Sequence, residues 1–289
     1  MKTWSGRFPL GFRMVGSAWA QDSKALIQWM QENDVEVIDL RTDADKTAQS
    51  FVQAGLRIGS VDLVENKGMI SADAGRRSEA IAKNAEYVRN CAAYGSMNHF
   101  LVMLPEDPSL PRADNFGYMV QSFSELVPVL EECDAHLVVE GWPGPGALCC
   151  TPEGYRALFR ELPSEAMGVN YDPSHLIRQG IDPIRFLNEF AGRVYHVHGK
   201  DTELLAENLY EYGHEQPPTF GKKFRYGGMA WRYTIPGQGV MRWPAALGIL
   251  VENGYAGCVS IELEDASFNG TEDTEKLGIL QGIRFLSGC

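Results

Sequence analysis

No stretch of this 289-residue chain stays apolar for long. A bilayer-spanning helix needs roughly 18 consecutive apolar residues, so none is expected. The opening stretch MKTWSGRFPLGFRMVG is broken by Arg7, Pro9 and Arg13, so no secretory signal is expected there. Cysteine is sparse and unpatterned. There are six thiols and no CxxC pair, and Cys149 lies next to Cys150, where a mutual bond is geometrically awkward. Idle thiols in a reducing cytoplasm are therefore expected. Basic charge is also short, with 26 Lys and Arg against 38 Asp and Glu, for a net charge of −12. Gripping a phosphate backbone takes clustered cations, so neither a nucleic acid nor a membrane surface is an expected partner. Internal repeats and low-complexity segments are missing too.

What remains is an ordinary globular composition, 44% hydrophobic and 22% charged, long enough for a large core. Strand-like apolar runs alternate with helix-like runs, the pattern of βα units around a parallel sheet. Strands are predicted at 12–15, 35–40, 56–63, 99–104, 136–140, 167–170, 194–198 and 257–263. Helices are predicted at 23–33, with Ser23 as its cap, and near 43–54, 72–93, 115–132 and 273–286. Eight units predict one (β/α)8 barrel over residues 1–289 with no spare domain. One long loop insertion after the seventh strand, about 201–242, breaks the rhythm. Its later part, 216–243, carries Lys222, Lys223, Arg225, Arg232 and Arg242 and no acidic residue. Such a loop can be a lid, a binding loop or a contact to a second subunit, identical or different.

Chemistry concentrates at the C-terminal ends of the last four predicted strands. Glu140 ends the fifth, Asp172 follows the sixth in NYDPSHL, His198 ends the seventh in HVHGKD, and Glu262 lies on the eighth in SIELED. In a β/α barrel these ends converge on one face. The spacings agree: 32 residues from Glu140 to Asp172, 26 to His198, and 64 to Glu262, which is one unit plus the insertion. Three carboxylates would repel one another and raise each other's pKa unless a cation sat between them. With one imidazole they make a mostly hard donor set suited to a single divalent ion, Mn²⁺ first, with Mg²⁺, Co²⁺ or Zn²⁺ as alternatives. Open positions on that ion could take two substrate oxygens.

Taken together, Glu140, the Asp-x-x-His of Asp172 and His175, the His-x-His of His196 and His198, and Glu262 resemble the xylose isomerase-like barrels. That superfamily includes ketose 3-epimerases, inosose dehydratases, sugar phosphate isomerase/epimerase proteins and AP endonucleases. The resemblance spans nearly the whole chain in strand order. It implies that Glu140, Asp172, His198 and Glu262 bind the metal, that Glu140 and Glu262 also form an acid/base pair, and that His175 contacts substrate. Ketose epimerases carry an Arg six residues after the metal-binding His, where this chain has Leu204. The further histidines of the endonucleases are missing, which with the acidic charge argues against that activity.

Each candidate has a plainer reading beside it. Asp172 can cap the following helix. Glu264 rivals Glu262 on the same face, and Lys200 and Asp201 can pair with each other. Lys200 is otherwise placed to reach a substrate hydroxyl or a developing oxyanion. His196 shares a strand face with His198 and can support it or touch substrate. Trp142 and Trp19 offer flat faces of the kind that pack on sugar rings, and Arg232 of the insertion is a further substrate contact. His99 and His136 sit at strand starts and are expected to be structural. The expected activity is that of a metal-dependent isomerase or epimerase of a sugar, keto-sugar or cyclitol. The alternatives are a lyase or dehydratase using the same enolate chemistry, such as a 3-oxo-(C-)glycoside deglycosidase or an inosose dehydratase, and a non-catalytic carbohydrate-binding barrel.

Overall fold

The computed structural model describes residues 1–289. In chain order the elements are β1 Leu10–Arg13, α1 Ser23–Glu32, β2 Val37–Leu40, α2 Ala44–Gln53, β3 Arg57–Asp62 and α3 Ala74–Cys91. There follow β4 Asn98–Val102, α4 Arg112–Glu132, β5 His136–Glu140, α5 Pro152–Glu161 and β6 Met167–Tyr171. The third quarter holds α6 Pro173–Ile177, α7 Pro183–Phe190, β7 Val194–Gly199, β8 Asp201–Leu204 and α8 Ala206–Tyr212. The last elements are β9 Trp231–Thr234, α9 Trp243–Glu252, β10 Val259–Ile261 and α10 Glu272–Ser287. Eight parallel strands close into a barrel in the order β1-β10-β7-β6-β5-β4-β3-β2. This is the (β/α)8 architecture that the alternating pattern predicts. No helix is long and apolar enough to cross a membrane.

Alternation along each strand sends one set of side chains to the helices and the other into the barrel. On β1, Phe12 packs against Trp19 and Trp29 on the helix side, while Gly11 and Arg13 point inward. Gly11 is required by close approach, because a Cβ there would lie 1.9 Å from the Val37 carbonyl oxygen. Sixty-three buried apolar residues form one continuous cluster, each fully buried Leu or Phe contributing on the order of 2 kcal/mol. Asp22, and not Ser23, caps α1; its carboxylate accepts from the backbone N–H groups of Lys24 and Ala25.

The insertion is more ordered than the loop predicted from its Gly and Pro content. Its ends pair as an antiparallel ribbon, Asp201 opposite Thr234 through Leu204 opposite Trp231, with α8 and an irregular stretch between them. The WRYT run of aromatic and β-branched residues supplies the strand propensity. Asp201 ties the ribbon's base: its carboxylate accepts from Met241 N at 3.0 Å and from the indole of Trp243 at 3.2 Å.

Candidate active site

The ends of β5, β6, β7 and β10 bring four side chains together. One ligand atom each from Glu140, Asp172, His198 and Glu262 lies within 4.8 Å of all the others. His198 presents Nδ1 to the group, 2.7 Å from Glu140 Oε2 and 3.5 Å from Glu262 Oε2. Asp172 does two jobs. Its Oδ1 caps α6, accepting from Ser174 N at 2.8 Å and from the Ser174 hydroxyl at 2.6 Å. Its Oδ2 is buried and makes no hydrogen bond, facing Lys200 Nζ at 3.2 Å and His175 Nε2 at 3.5 Å. A buried carboxylate oxygen with a charged neighbour but no hydrogen bond, beside two more carboxylates and an imidazole, fits a divalent cation held by these four residues.

The electrostatics point the same way. Burial and the neighbouring Glu262 push the Glu140 carboxyl up, but His175 and His198 outweigh them and hold it below the usual carboxylate range. Burial likewise works against the charge on Glu262, and Lys200, His198 and Arg13 keep it ionised. Against its own desolvation, His198 is held well above the ordinary histidine range by Glu262, Glu140 and Asp39. The pull these carboxylates exert on a proton is the pull they would exert on a metal ion.

A cavity of about 560 Å³ opens above the cluster, lined among others by Glu140, Glu262, Glu264, Arg13, Arg41 and Phe100. That volume suits a small polar ligand. Arg225 and Tyr226 of the insertion line it as well, so the insertion walls one side of the mouth. A slightly larger cavity of about 620 Å³ lies at the opposite end of the barrel, around Arg57, Asn98, His136 and Tyr195. It is remote from the clustered carboxylates.

His175 joins the cluster, its Nε2 3.1 Å from Glu140 Oε1. Lys200 is buried with its ammonium paired to Glu262, to Glu264 at 3.0 Å and to Asp172 at 3.2 Å. Glu264 thus faces the lysine from the rim while Glu262 belongs to the cluster. The other four predicted contacts lie elsewhere. His196 is fully buried beneath the mouth, its Nε2 2.9 Å from Asp39 and its Nδ1 3.6 Å from Cys258 Sγ, so it supports the floor and cannot meet substrate. Trp19 gives its indole N–H to Glu275 at 2.8 Å and packs on Phe12 and Trp29. Trp142 folds back over Gly144 of its own loop, and neither tryptophan lines the cavity. Arg232 is spent on Glu203, directly across the ribbon, at 2.5 Å.

Sequence reasoning missed four contributors. Asn170 on β6 donates to Glu140 Oε2 at 2.8 Å and approaches His198 Nδ1 at 3.0 Å. Arg13 on β1 lies 3.2 Å from Glu262 Oε1. Asp39 on β2 stands under His198, 3.5 Å from its Nε2. Tyr233 on β9 reaches His175 Nδ1 at 2.7 Å. For the first three the signal was present: a polar or charged residue at the mouth end of an otherwise apolar strand.

The chain belongs to the xylose isomerase-like TIM barrel family, whose sequence model matches residues 10–289. Inosose dehydratase from Clostridium beijerinckii is 33% identical over 94 residues, which is 32% of this chain and 29% of that protein. The first curated relatives are thus matched over only 29% to 35% of their length. Among solved structures, the 3-keto-D-glucoside 4-epimerase YcjR from E. coli superposes with a TM-score of 0.71 at 12% identity, covering 98% of this chain and 100% of that one. IolI, solved with a zinc atom bound, gives 0.64 at 19% identity over 96% and 95% of the two chains. At these identities the structural likeness concerns the fold.

Proposed function

We propose that this protein is a divalent-metal-dependent isomerase or epimerase of a sugar, keto-sugar or cyclitol. The observation that carries the reading is the pair Glu140 and Glu262, on β5 and β10, both reaching the Nδ1 side of His198 beneath a polar cavity. Glu140, Asp172, His198 and Glu262 would hold the ion, Mn²⁺ being the best match to three carboxylates and one imidazole. When bound, it would supply Lewis-acid polarisation of a carbonyl and the hydroxyl beside it. Both glutamates are ionised and can therefore take a proton from carbon. One would remove it, and the other would relay a proton drawn from solvent to the opposite face, the first then losing its own to solvent so that both end ionised again. Arg13 and Lys200 keep Glu262 charged between turnovers. Family membership and the carbohydrate-acting names among the relatives support the substrate class.

A second reading, elimination by a lyase or dehydratase, is favoured by one feature. His175 beside Glu140 keeps a ring N–H where both glutamates are ionised, and is able to protonate a departing oxygen. The test is to incubate Mn²⁺-loaded protein with ketoses, 3-keto sugars and inososes in D₂O and follow the products by NMR. Epimerisation exchanges one C–H and keeps every oxygen, whereas elimination releases a leaving group. No exchange at any carbon with any of the four metals, or a Glu140→Gln variant that turns over normally, would refute the proposal.

A further inference from the structure

The insertion reaches into the cluster through one side chain, Tyr233. It is buried, and its Oη stands 2.7 Å from His175 Nδ1 and 2.6 Å from Arg178 Nη1. A guanidinium only donates, so the bond from Arg178 uses a lone pair of the phenol and leaves its proton to be given elsewhere. Burial pushes the phenol above the ordinary tyrosine range, so that proton stays on. The acceptor within reach is His175 Nδ1. If Nδ1 accepts, the imidazole proton sits on Nε2, and Nε2 faces Glu140 Oε1 at 3.1 Å and Asp172 Oδ2 at 3.5 Å, with Lys200 Nζ to one side at 3.4 Å.

Every member of this chain is itself fixed. Arg178 donates a second bond to the Pro143 carbonyl at 3.0 Å and sits over Trp231, 4.6 Å from the ring centre. Tyr233 pairs with Thr202 across the ribbon, and the Thr202 hydroxyl donates to the Ser174 carbonyl at 3.0 Å, one residue before His175. Ribbon and histidine are therefore held to the same turn.

We propose that Tyr233, aimed by Arg178, is a positioning residue that sets His175 as an Nε2–H donor toward the substrate oxygen beside Glu140. A histidine free to choose would divide between two tautomers, and the wrong one would turn a lone pair toward two carboxylates, met only by a Lys200 ammonium already engaged by Asp172, Glu262 and Glu264. The ribbon then fixes the direction of a proton in the active site, a role that a surface excursion could not perform.

The meaning of a substrate oxygen rests on the proposed function, but the tautomer does not, and the experiment reads the tautomer. Protein labelled with ¹⁵N-histidine and loaded with diamagnetic Mg²⁺ or Zn²⁺ is examined by long-range ¹H–¹⁵N NMR near neutral pH, with His175→Gln assigning the signals. The expected result is the Nε2–H pattern for His175 in the native protein, and a mixture of tautomers in Tyr233→Phe and, more weakly, in Arg178→Gln. On whichever substrate shows deuterium exchange, Tyr233→Phe should lose roughly 10- to 100-fold in kcat with little change in KM. An Nδ1–H pattern in the native protein overturns the proposal without recourse to any variant. So does a Tyr233→Phe protein that folds and keeps the native tautomer. If the tautomers behave as expected but no sugar is turned over, the proposed function fails and the positioning role stands.

Discussion

Arg13 at the mouth end of β1 grips Asp62 at the end of β3 with two parallel hydrogen bonds, 2.7 and 2.9 Å, and turns its Nε to Glu262 at 3.2 Å. The same guanidinium lies 4.4 Å over the Phe100 ring. One buried cation thus joins β1, β3, β4 and the carboxylate following β10.

Removing it should be costly. An Arg13→Gln substitution leaves Asp62 to the half-exposed Arg41, 3.6 Å away, and leaves Glu262 to Lys200. Breaking one side of a buried ion pair typically costs about 3–5 kcal/mol. The expected result is a destabilisation of that order in urea, partly recovered when saturating Mn²⁺ neutralises Glu262 in place of the arginine. A variant as stable as the parent without metal would show that Arg13 is not a counter-ion to the cluster.

Asp39 makes a separate prediction about the metal. Its Oδ1 accepts from Ser60 N at 3.0 Å and from the Ser260 hydroxyl at 2.9 Å, while Oδ2 meets His196 Nε2 at 2.9 Å and His198 Nε2 at 3.5 Å. Gly59 makes room, since a Cβ there would lie 2.2 Å from Asp39 Oδ1. A carboxylate behind a ligating histidine fixes the ring and raises its basicity. Asp39→Asn should therefore weaken Mn²⁺ or Zn²⁺ binding by roughly 10- to 100-fold in calorimetric titration, although residue 39 does not line the cavity. Unchanged affinity would mean that His198 needs no support from below.

The barrel was legible because eight strand–helix units leave a periodic trace, and Glu140, Asp172, His198 and Glu262 were legible because the strand ends that carry them must converge. The misplaced residues share a physical cause. Trp142, Trp19 and Arg232 have side chains whose direction depends on packing that no local pattern records: a loop folding on itself, an indole captured by Glu275, a guanidinium captured across a ribbon. His196 was placed on the correct strand face but at the wrong depth, because a period of two does not say which layer of the barrel a residue occupies. Tyr233 was out of reach of sequence reasoning, since its partner His175 lies 58 residues away and only the ribbon brings them together.

His99 supports a prediction about acid stability. On β4 it faces the helices, edge-on to Tyr87 at 5.8 Å, fully buried with neither ring nitrogen hydrogen-bonded. Burial pushes its pKa down to about 3, whereas in the unfolded chain it is about 6.5. Between those values the unfolded chain takes up a proton that the native state refuses. The native state is thus unaffected by this residue's titration above about pH 6.5, loses about 1.4 kcal/mol per unit as pH falls below it, and stops losing near pH 3. A His99→Leu substitution removes both the proton uptake and an unpaired buried polar ring, for a gain of about 1 kcal/mol at neutral pH. Urea unfolding of parent and variant at pH 7 and pH 5 should show that gain widening at the lower pH. A constant difference would mean that His99 is protonated as readily in the folded protein as in the unfolded chain.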